Sequence, residues 1–301
     1  MATGTRTRHL LRIADLGVRE VEQLLDLAAR MKEHPYGWLH SLEGDIVVSL
    51  FDKPSTRTRI SFATAASRLG MEDQVVRPDE LQLGRGESIA DTARTLSSYA
   101  AAITVRTFAH ATAEELAASA TVPVVNALTD EHHPCQALAD LLTIQEAHGA
   151  LDGIRVAYVG DGNNVVNSLI EAAGLTGLEL TIATPPGYEP IVAGDVTVVH
   201  DPRAAVAGAE VVYTDVWTSM GEEAEAAERE RALAPYQVTE ELMGLAAPSA
   251  VFMHCLPAHR GSEVQAEVID GAQSVVWRQA ANRMPTEQAL LYALITGDWE
   301  G

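Results

Sequence analysis

A chain of 301 residues is longer than one hydrophobic core usually sustains, so two domains are the expectation. Its 47% hydrophobic and 21% charged residues describe an ordinary globular protein and exclude a disordered or fibrous one. A formal charge of −21 argues against a nucleic-acid surface, which needs a basic stripe, and it makes any local cluster of arginines stand out.

Along the chain, short β-branched runs alternate with Ala- and Leu-rich helical stretches, the pattern of parallel βαβ units. A first strand is expected at 45–51, followed by a helix at 59–69 that Gly70 closes. Ser88 with Asp91, and Thr112 with Glu115, resemble capping boxes on either side of a strand at 102–107. A strand at 122–127 leads to Pro134, placed as a first helical residue. Strands follow at 155–160, 179–184 and 196–200, after which Pro202 opens a short helix. Further strands are expected at 210–215, 251–254 and 274–277, with an acidic, solvated helix at 222–231 between them. Several strands are apolar almost throughout, as when both sheet faces carry helices. The fold class is therefore α/β.

Only two cysteines occur, Cys135 and Cys255. With basic residues but no apolar h-region at the N-terminus, the expectation is an intracellular, cytoplasmic chain with free thiols. No apolar stretch approaches the roughly 20 residues of a membrane helix.

In open parallel sheets, ligands sit beyond the carboxyl ends of the strands, and there this chain places its reactive residues. Lys53-Pro54-Ser55-Thr56-Arg57 follows the first strand, and Arg106-Thr107 ends the second. His132-His133-Pro134-Cys135-Gln136 and Asp161-Gly162-Asn163-Asn164 follow the third and fourth, while Asp215 and Cys255-Leu256-Pro257 end later ones. The run Ser55-Thr56-Arg57-Thr58-Arg59 is a helix start whose unpaired N–H groups suit an anion, with hydroxyl donors and a planar guanidinium fork beside them. The Gly-rich spacing and Gly-Lys-Ser/Thr of a nucleotide P-loop are missing. Taken alone, the run fits a capped helix with surface arginines equally well.

Gly160-Asp161-Gly162 begins like a dinucleotide fingerprint, but Val165 occupies the third glycine position, which argues against a nicotinamide cofactor. Asn163 and Asn164 would instead hydrogen-bond a polar group such as an amino-acid carboxylate. Asp215 suits a cationic ligand group. Cys255 fits either a thiol placed near an amine or plain packing. His254, Cys255 and His259 lack a fourth ligand for a structural metal, so no metal is expected.

Together these segments resemble the aspartate/ornithine carbamoyltransferase family. Ser-Thr-Arg-Thr-Arg and His133-Pro134-x-Gln136 match the whole family. Leu81-Gln82-Leu83-Gly84-Arg85-Gly86-Glu87-Ser88-Ile89, Asp215-x-x-x-Ser219-Met220-Gly221 and His254-Cys255-Leu256-Pro257 resemble its ornithine branch. The resemblance runs from the N-terminal region to Ala281-Asn282-Arg283-Met284.

It implies two similar-sized domains, each a mostly parallel sheet flanked by helices. A carbamoyl-phosphate domain would span 1–145 with a C-terminal helix at 285–301 crossing back to it, and an ornithine domain would span 146–284. The helix proper would run roughly 286–296. The implied reaction moves the carbamoyl group of carbamoyl phosphate to the δ-amino group of ornithine, giving citrulline and phosphate in arginine metabolism. No metal or organic cofactor is implied. The implied assembly is a homotrimer, with further assembly of trimers left open, and Gln82 reaching a neighbouring subunit's site.

Carried over residue by residue, Ser55, Thr56, Arg57, Thr58 and Arg106 would hold the phosphate. His133, Gln136, Arg283 and the Leu256 carbonyl would hold the carbamoyl group, with Cys255 bordering it. Asn163, Asn164, Asp215, Ser219 and Met220 would bind ornithine, and Arg57, Arg106, His133, Asp215 and Cys255 would carry the chemistry. Two residues depart from the family pattern. Pro54 stands where many relatives have an acidic residue, and Pro285 where histidine is expected, so the last helix would start slightly differently. Rival readings are transfer to another amine, a silent phosphate- or amino-acid-binding regulator, and a dehydrogenase weakened by Val165.

Overall fold

The computed structural model describes residues 7–77, 79–81, 86–218, 221 and 223–301. The chain divides into two compact units, Met1–Leu138 with Arg283–Gly301, and Ala139–Asn282.

The first unit contains α1 (Val18–Glu33), β1 (Ile46–Phe51), α2 (Thr56–Leu69), β2 (Glu72–Val76), α3 (Ile89–Ser97), β3 (Ala102–Arg106), α4 (His110–Ser119), β4 (Val124–Leu128) and the start of α5 (Pro134–His148). Its four strands form a parallel sheet in the order β2-β1-β3-β4. Parallel neighbours need crossovers, and the helices between successive strands supply them. Val48 and Leu50 of β1, Ile103 and Val105 of β3 and Val124 of β4 bury one face against Ala93 of α3 and Leu116 of α4. β2 escapes a periodicity reading because its Glu-Asp-Gln-Val-Val sequence is polar. It is an edge strand that only β1 pairs.

The second unit contains β5 (Arg155–Val159), α6 (Asn164–Thr176), β6 (Glu179–Ala183), β7 (Thr197–Val199), α7 (Pro202–Val206), β8 (Val211–Thr214), α8 (Ala226–Leu233), α9 (Glu240–Met243), β9 (Val251–His254), α10 (Ala266–Ile269) and the start of α11 (Val276–Thr296). Its sheet is also parallel, in the order β7-β6-β5-β8-β9. Ala157, Val159, Val212 and Phe252 pack against Val206, Leu242, Val268 and Ile269. Order reverses on either side of β5, so its carboxyl end opens a crevice.

Two features place the first unit's anion-binding helix. Ser55 has an extended backbone, and its Oγ accepts from the Thr58 N–H at 3.2 Å, which starts α2. Gly70 ends α2 at φ +85°, where L side chains are strained. A Cβ on Gly70 would also lie 2.4 Å from the Leu39 carbonyl oxygen, so only glycine fits.

The structure overturns three expectations. The stretch 274–277 is not a strand: Ser274 makes a single bridge to Phe252, and α11 begins at Val276. Its β-branched residues suggested a strand, but tertiary contacts to Gln279 and Asn282 override that preference. Gln279 Nε2 donates to Asp140 at 2.7 Å, and Asn282 Nδ2 donates to Thr143 at 2.9 Å. α11 therefore runs through Pro285 rather than starting near it, forgoing the hydrogen bond that the missing N–H would have made. Finally, α4 starts at His110 rather than at a Thr112 box, and Ala109, before it, provides no side-chain cap. The His110 Nδ1–Thr129 Oγ1 contact at 2.9 Å fixes that start.

Among the described residues, no helix is long and apolar enough to cross a membrane. Gly70→Ala is expected to destabilise the protein by about 1–3 kcal/mol, from left-handed strain plus the Leu39 clash. Urea unfolding followed by far-ultraviolet circular dichroism reads this as a lowered midpoint, and an unchanged midpoint would remove the steric argument.

Candidate active site

In the first unit, the carboxyl ends of β1, β3 and β4 carry the residues expected to hold an anion. Thr58 is buried in the first turn of α2, and two arginines converge on its hydroxyl. Arg106 Nη1 donates to Thr58 Oγ1 at 3.3 Å, and Arg283 Nη2 donates to it at 3.1 Å. Arg283 Nη1 donates to Gln136 Oε1 at 2.9 Å and to His133 Nε2 at 3.3 Å. Arg106, His133, Gln136 and Arg283 are all buried. A buried guanidinium is costly unless its donors are engaged, and Thr58, Gln136 and His133 give the two arginines neutral acceptors. The result is a fixed positive field at a helix N-terminus within a chain of charge −21.

Burial and that field together set the state of His133. Burial lowers its pKa well below 6.5, and Arg283, Arg106 and Arg57 lower it further. His133 is therefore a neutral imidazole at physiological pH, a hydrogen-bonding group and not a cation. Ser55 is the N-cap of α2, and Thr56 and Arg57 occupy its first turn, where the unpaired N–H groups lie. Beside them, the buried Lys53 pairs with Asp130 and stacks 4.2 Å from the Phe108 ring centroid, tying the loop after β1 to the end of β4.

The second unit gathers a different set at the ends of β5, β8 and β9. Gly162 must be glycine, because a Cβ there would sit 2.3 Å from the Tyr188 carbonyl oxygen. Asn163 caps α6: its Oδ1 accepts from the N–H groups of Val165 at 3.0 Å and Val166 at 3.3 Å. Its Nδ2 donates to Asp215 Oδ2 at 2.7 Å, and the Cys255 thiol donates to Asp215 Oδ1 at 2.7 Å. Asn163 thus orients Asp215, while Asn164 is the first residue of α6. The Tyr158 hydroxyl donates to Asn163 Oδ1 at 3.2 Å. Burial, with Asp215, Asp161 and Cys255 nearby, pushes that phenol well above 10 and keeps it a donor.

Cys255 leads into Leu256, which has φ +60°, and the Leu256–Pro257 peptide is cis. The Leu256 N–H donates to His254 Nδ1 at 2.9 Å, and His254 Nε2 faces Glu263 Oε1 at 3.2 Å, with His254 and Glu263 both buried. Asp215, His254 and Cys255 each bring a ligand-type atom within 4.8 Å of the others, whereas His259 is not part of that group. The hydrogen bonds just described already engage all three.

Some contributors were invisible in sequence. The stretch expected to be a solvated acidic helix turns Arg229 inward: it pairs with Asp161, and its Nε donates to the Trp217 carbonyl at 2.7 Å. Glu287, fully buried on α11, accepts from Arg283 Nη2 at 2.9 Å. The Arg–Glu spacing of four along a helix was the available signal for this pair. Gln82, Gly84, Arg85, Ser219, Met220 and Glu222 lie outside the described residues.

Comparisons with known proteins cover both units. Residues 8–146 match the carbamoyl-P binding domain of aspartate/ornithine carbamoyltransferase, and residues 152–294 match its Asp/Orn binding domain. An ornithine carbamoyltransferase of Acidothermus cellulolyticus is 52% identical over 96% of each chain. One of Methanothermobacter thermautotrophicus is 50% identical over 96% of this chain and 99% of its own. Among solved structures, ornithine carbamoyltransferase from Pyrococcus furiosus superposes with a TM-score of 0.91 at 47% identity, covering 97% of each chain. The enzyme from Thermus thermophilus gives a TM-score of 0.90 at 43% identity, covering 97% of this chain and all of its own. With both halves matched and identity near one residue in two, the chain belongs to the aspartate/ornithine carbamoyltransferase family.

Proposed function

We propose that the protein transfers the carbamoyl group of carbamoyl phosphate to the δ-amino group of ornithine, giving citrulline and phosphate. The observation that carries this reading is the buried cluster of Arg106, Arg283, His133 and Gln136 around Thr58. It offers fixed donors to a small dianion that also bears a planar carbonyl. Carbamoyl phosphate is assigned to the domain 1–145 with 285–301, and ornithine to the domain 146–284. The ornithine specificity follows the relatives named above. The assembly is a homotrimer in which Gln82 serves a neighbouring subunit's site.

The chemistry needs an electrophile whose developing charge is stabilised and an amine that has lost its proton. Ser55, Thr56, Arg57, Thr58 and Arg106 take the phosphate oxygens, on which negative charge builds as the C–O bond breaks. His133, Gln136 and Arg283 take the carbamoyl group, and the Leu256 carbonyl accepts from its amide. Because His133 is neutral, it stabilises the oxyanion by hydrogen bonding and does not protonate it. The nucleophile is the neutral δ-amine, whose nitrogen attacks the carbamoyl carbon as phosphate departs.

Asn163, Asn164, Asp215, Ser219 and Met220 hold ornithine. The Cys255–Asp215 pair, 2.7 Å apart, borders the reacting nitrogen. Asp215 is the acceptor for a proton leaving the amine, and Cys255 orients it. Direct displacement needs no covalent intermediate on Cys255.

The test is to mix the protein with carbamoyl phosphate and, separately, ornithine, N-acetylornithine, putrescine and aspartate, then assay ureido product. Product is expected with ornithine, and turnover with another amine instead would overturn the assignment. Arg106→Ala is expected to lower kcat about 10²–10³-fold, the usual consequence of removing one donor to developing charge. Steady-state kinetics at saturating substrates checks this, and wild-type turnover would remove Arg106 from the phosphate site. Asp215→Asn is expected to raise KM for ornithine far more than KM for carbamoyl phosphate. Equal increases would place Asp215 elsewhere.

A further inference from the structure

Arg283 is held from behind by a second buried charge. Glu287 lies one turn further along α11, and its Oε1 accepts from Arg283 Nη2 at 2.9 Å. The same Nη2 donates to Thr58 Oγ1 at 3.1 Å, while Nη1 reaches Gln136 at 2.9 Å and His133 at 3.3 Å. A guanidinium is a rigid plane of five donors, so anchoring one edge aims the rest. Neither the motifs nor the reaction chemistry uses Glu287. A carboxylate is nonetheless an unexpected neighbour for an anion site, because it opposes the charge the site must bind.

The groups that act on Glu287 include Arg283 from α11, Ser61 from α2, Asp73 from β2 and Cys135 from α5. Burial raises the Glu287 carboxyl to about 7. Arg283 and the Ser61 hydroxyl pull it down, and Asp73 pushes it up. Asp73 is itself raised by burial, and accepts from Ser49 Oγ at 2.7 Å. The carboxyl therefore sits in a mixed field that one more negative charge would tip toward the neutral form.

Resting on the carbamoyl-phosphate reading above, we propose that Glu287 is a positioning residue for the anion site. Its Oε1 aims Arg283 at the substrate, and carboxylate and substrate anion compete for that guanidinium. Binding of carbamoyl phosphate accordingly draws a fraction of a proton from solvent onto Glu287. The sign follows from linkage: a nearby dianion favours the neutral acid, so affinity for the dianion is higher below the free protein's Glu287 value and falls as pH rises through it.

Two variants separate aiming from mere packing. Glu287→Ala removes the acceptor and is expected to raise KM for carbamoyl phosphate on the order of tenfold, with KM for ornithine changed less than about twofold. Glu287→Gln keeps an oxygen that accepts from Arg283 and is expected to stay within about threefold of wild type. Calorimetric titration with carbamoyl phosphate near pH 7.5, in two buffers of different ionisation enthalpy, is expected to show proton uptake in the wild type and none in Glu287→Gln. The proposal is overturned if Gln is as impaired as Ala, if both KM values rise together, or if uptake persists in Gln. Should Glu287→Ala not fold, the Gln variant decides on proton uptake alone. A wild type that binds carbamoyl phosphate with proton uptake but carbamoylates no ornithine sinks the transfer reading and leaves this one standing. A wild type that transfers without proton uptake does the reverse.

Discussion

The hydroxyl of Thr58 accepts from two buried guanidinium groups, Arg106 at 3.3 Å and Arg283 at 3.1 Å, that are 177 positions apart in the chain (283 − 106). Like charges are held together there in a low-dielectric setting, an arrangement that needs acceptors around the guanidinium groups. Thr58, Gln136, His133 and Glu287 provide partners on the Arg283 side. Much of the first unit follows from this requirement. Ser55 must begin α2 where it does, β3 must end at Arg106, α5 must present His133 and Gln136 together, and α11 must continue past Pro285 to deliver Arg283.

Electrostatics then divides the labour between the two sets of residues. In the first unit the field is positive, and it adds to burial in keeping His133 neutral. In the second unit the polar set is built around a carboxylate. Asp215 accepts from Asn163 and Cys255, and burial with the same acidic surroundings raises Tyr158. An anionic electrophile and an amine-bearing nucleophile call for opposite fields, and under the proposed function the two sets supply them. Arg229 and Asp161 are each charged, but they cancel one another and tie the segment after β8 to the loop after β5.

Much of this was legible in the sequence because it depends on local rules. Strand cores such as Val251–His254 show as apolar runs, and the Ser55 cap and the Gly70 stop of α2 show by residue type. Reactive residues at strand ends marked the site, since parallel sheets present ligands there. Failures fell where tertiary contacts outweigh local preference. Ser274-Val275-Val276-Trp277 carries strand formers, yet Gln279 and Asn282 bind Asp140 and Thr143 and draw the segment into α11. β2 is too polar to announce itself and forms because β1 offers it an edge.

By itself, the sequence determined the α/β class, the family and the capped start of α2, and it named the residues proposed for the site. Each of these is fixed by short-range periodicity, by capping chemistry or by motifs contiguous in the chain. Tertiary structure alone decided which groups share a charge environment. The convergence of Arg283 on Thr58, the inward turn of Arg229 and the hold of Asn163 on Asp215 are not local in origin. Burial fixes them, because a charge taken from water must find a partner, and only the folded chain says which partner is in reach.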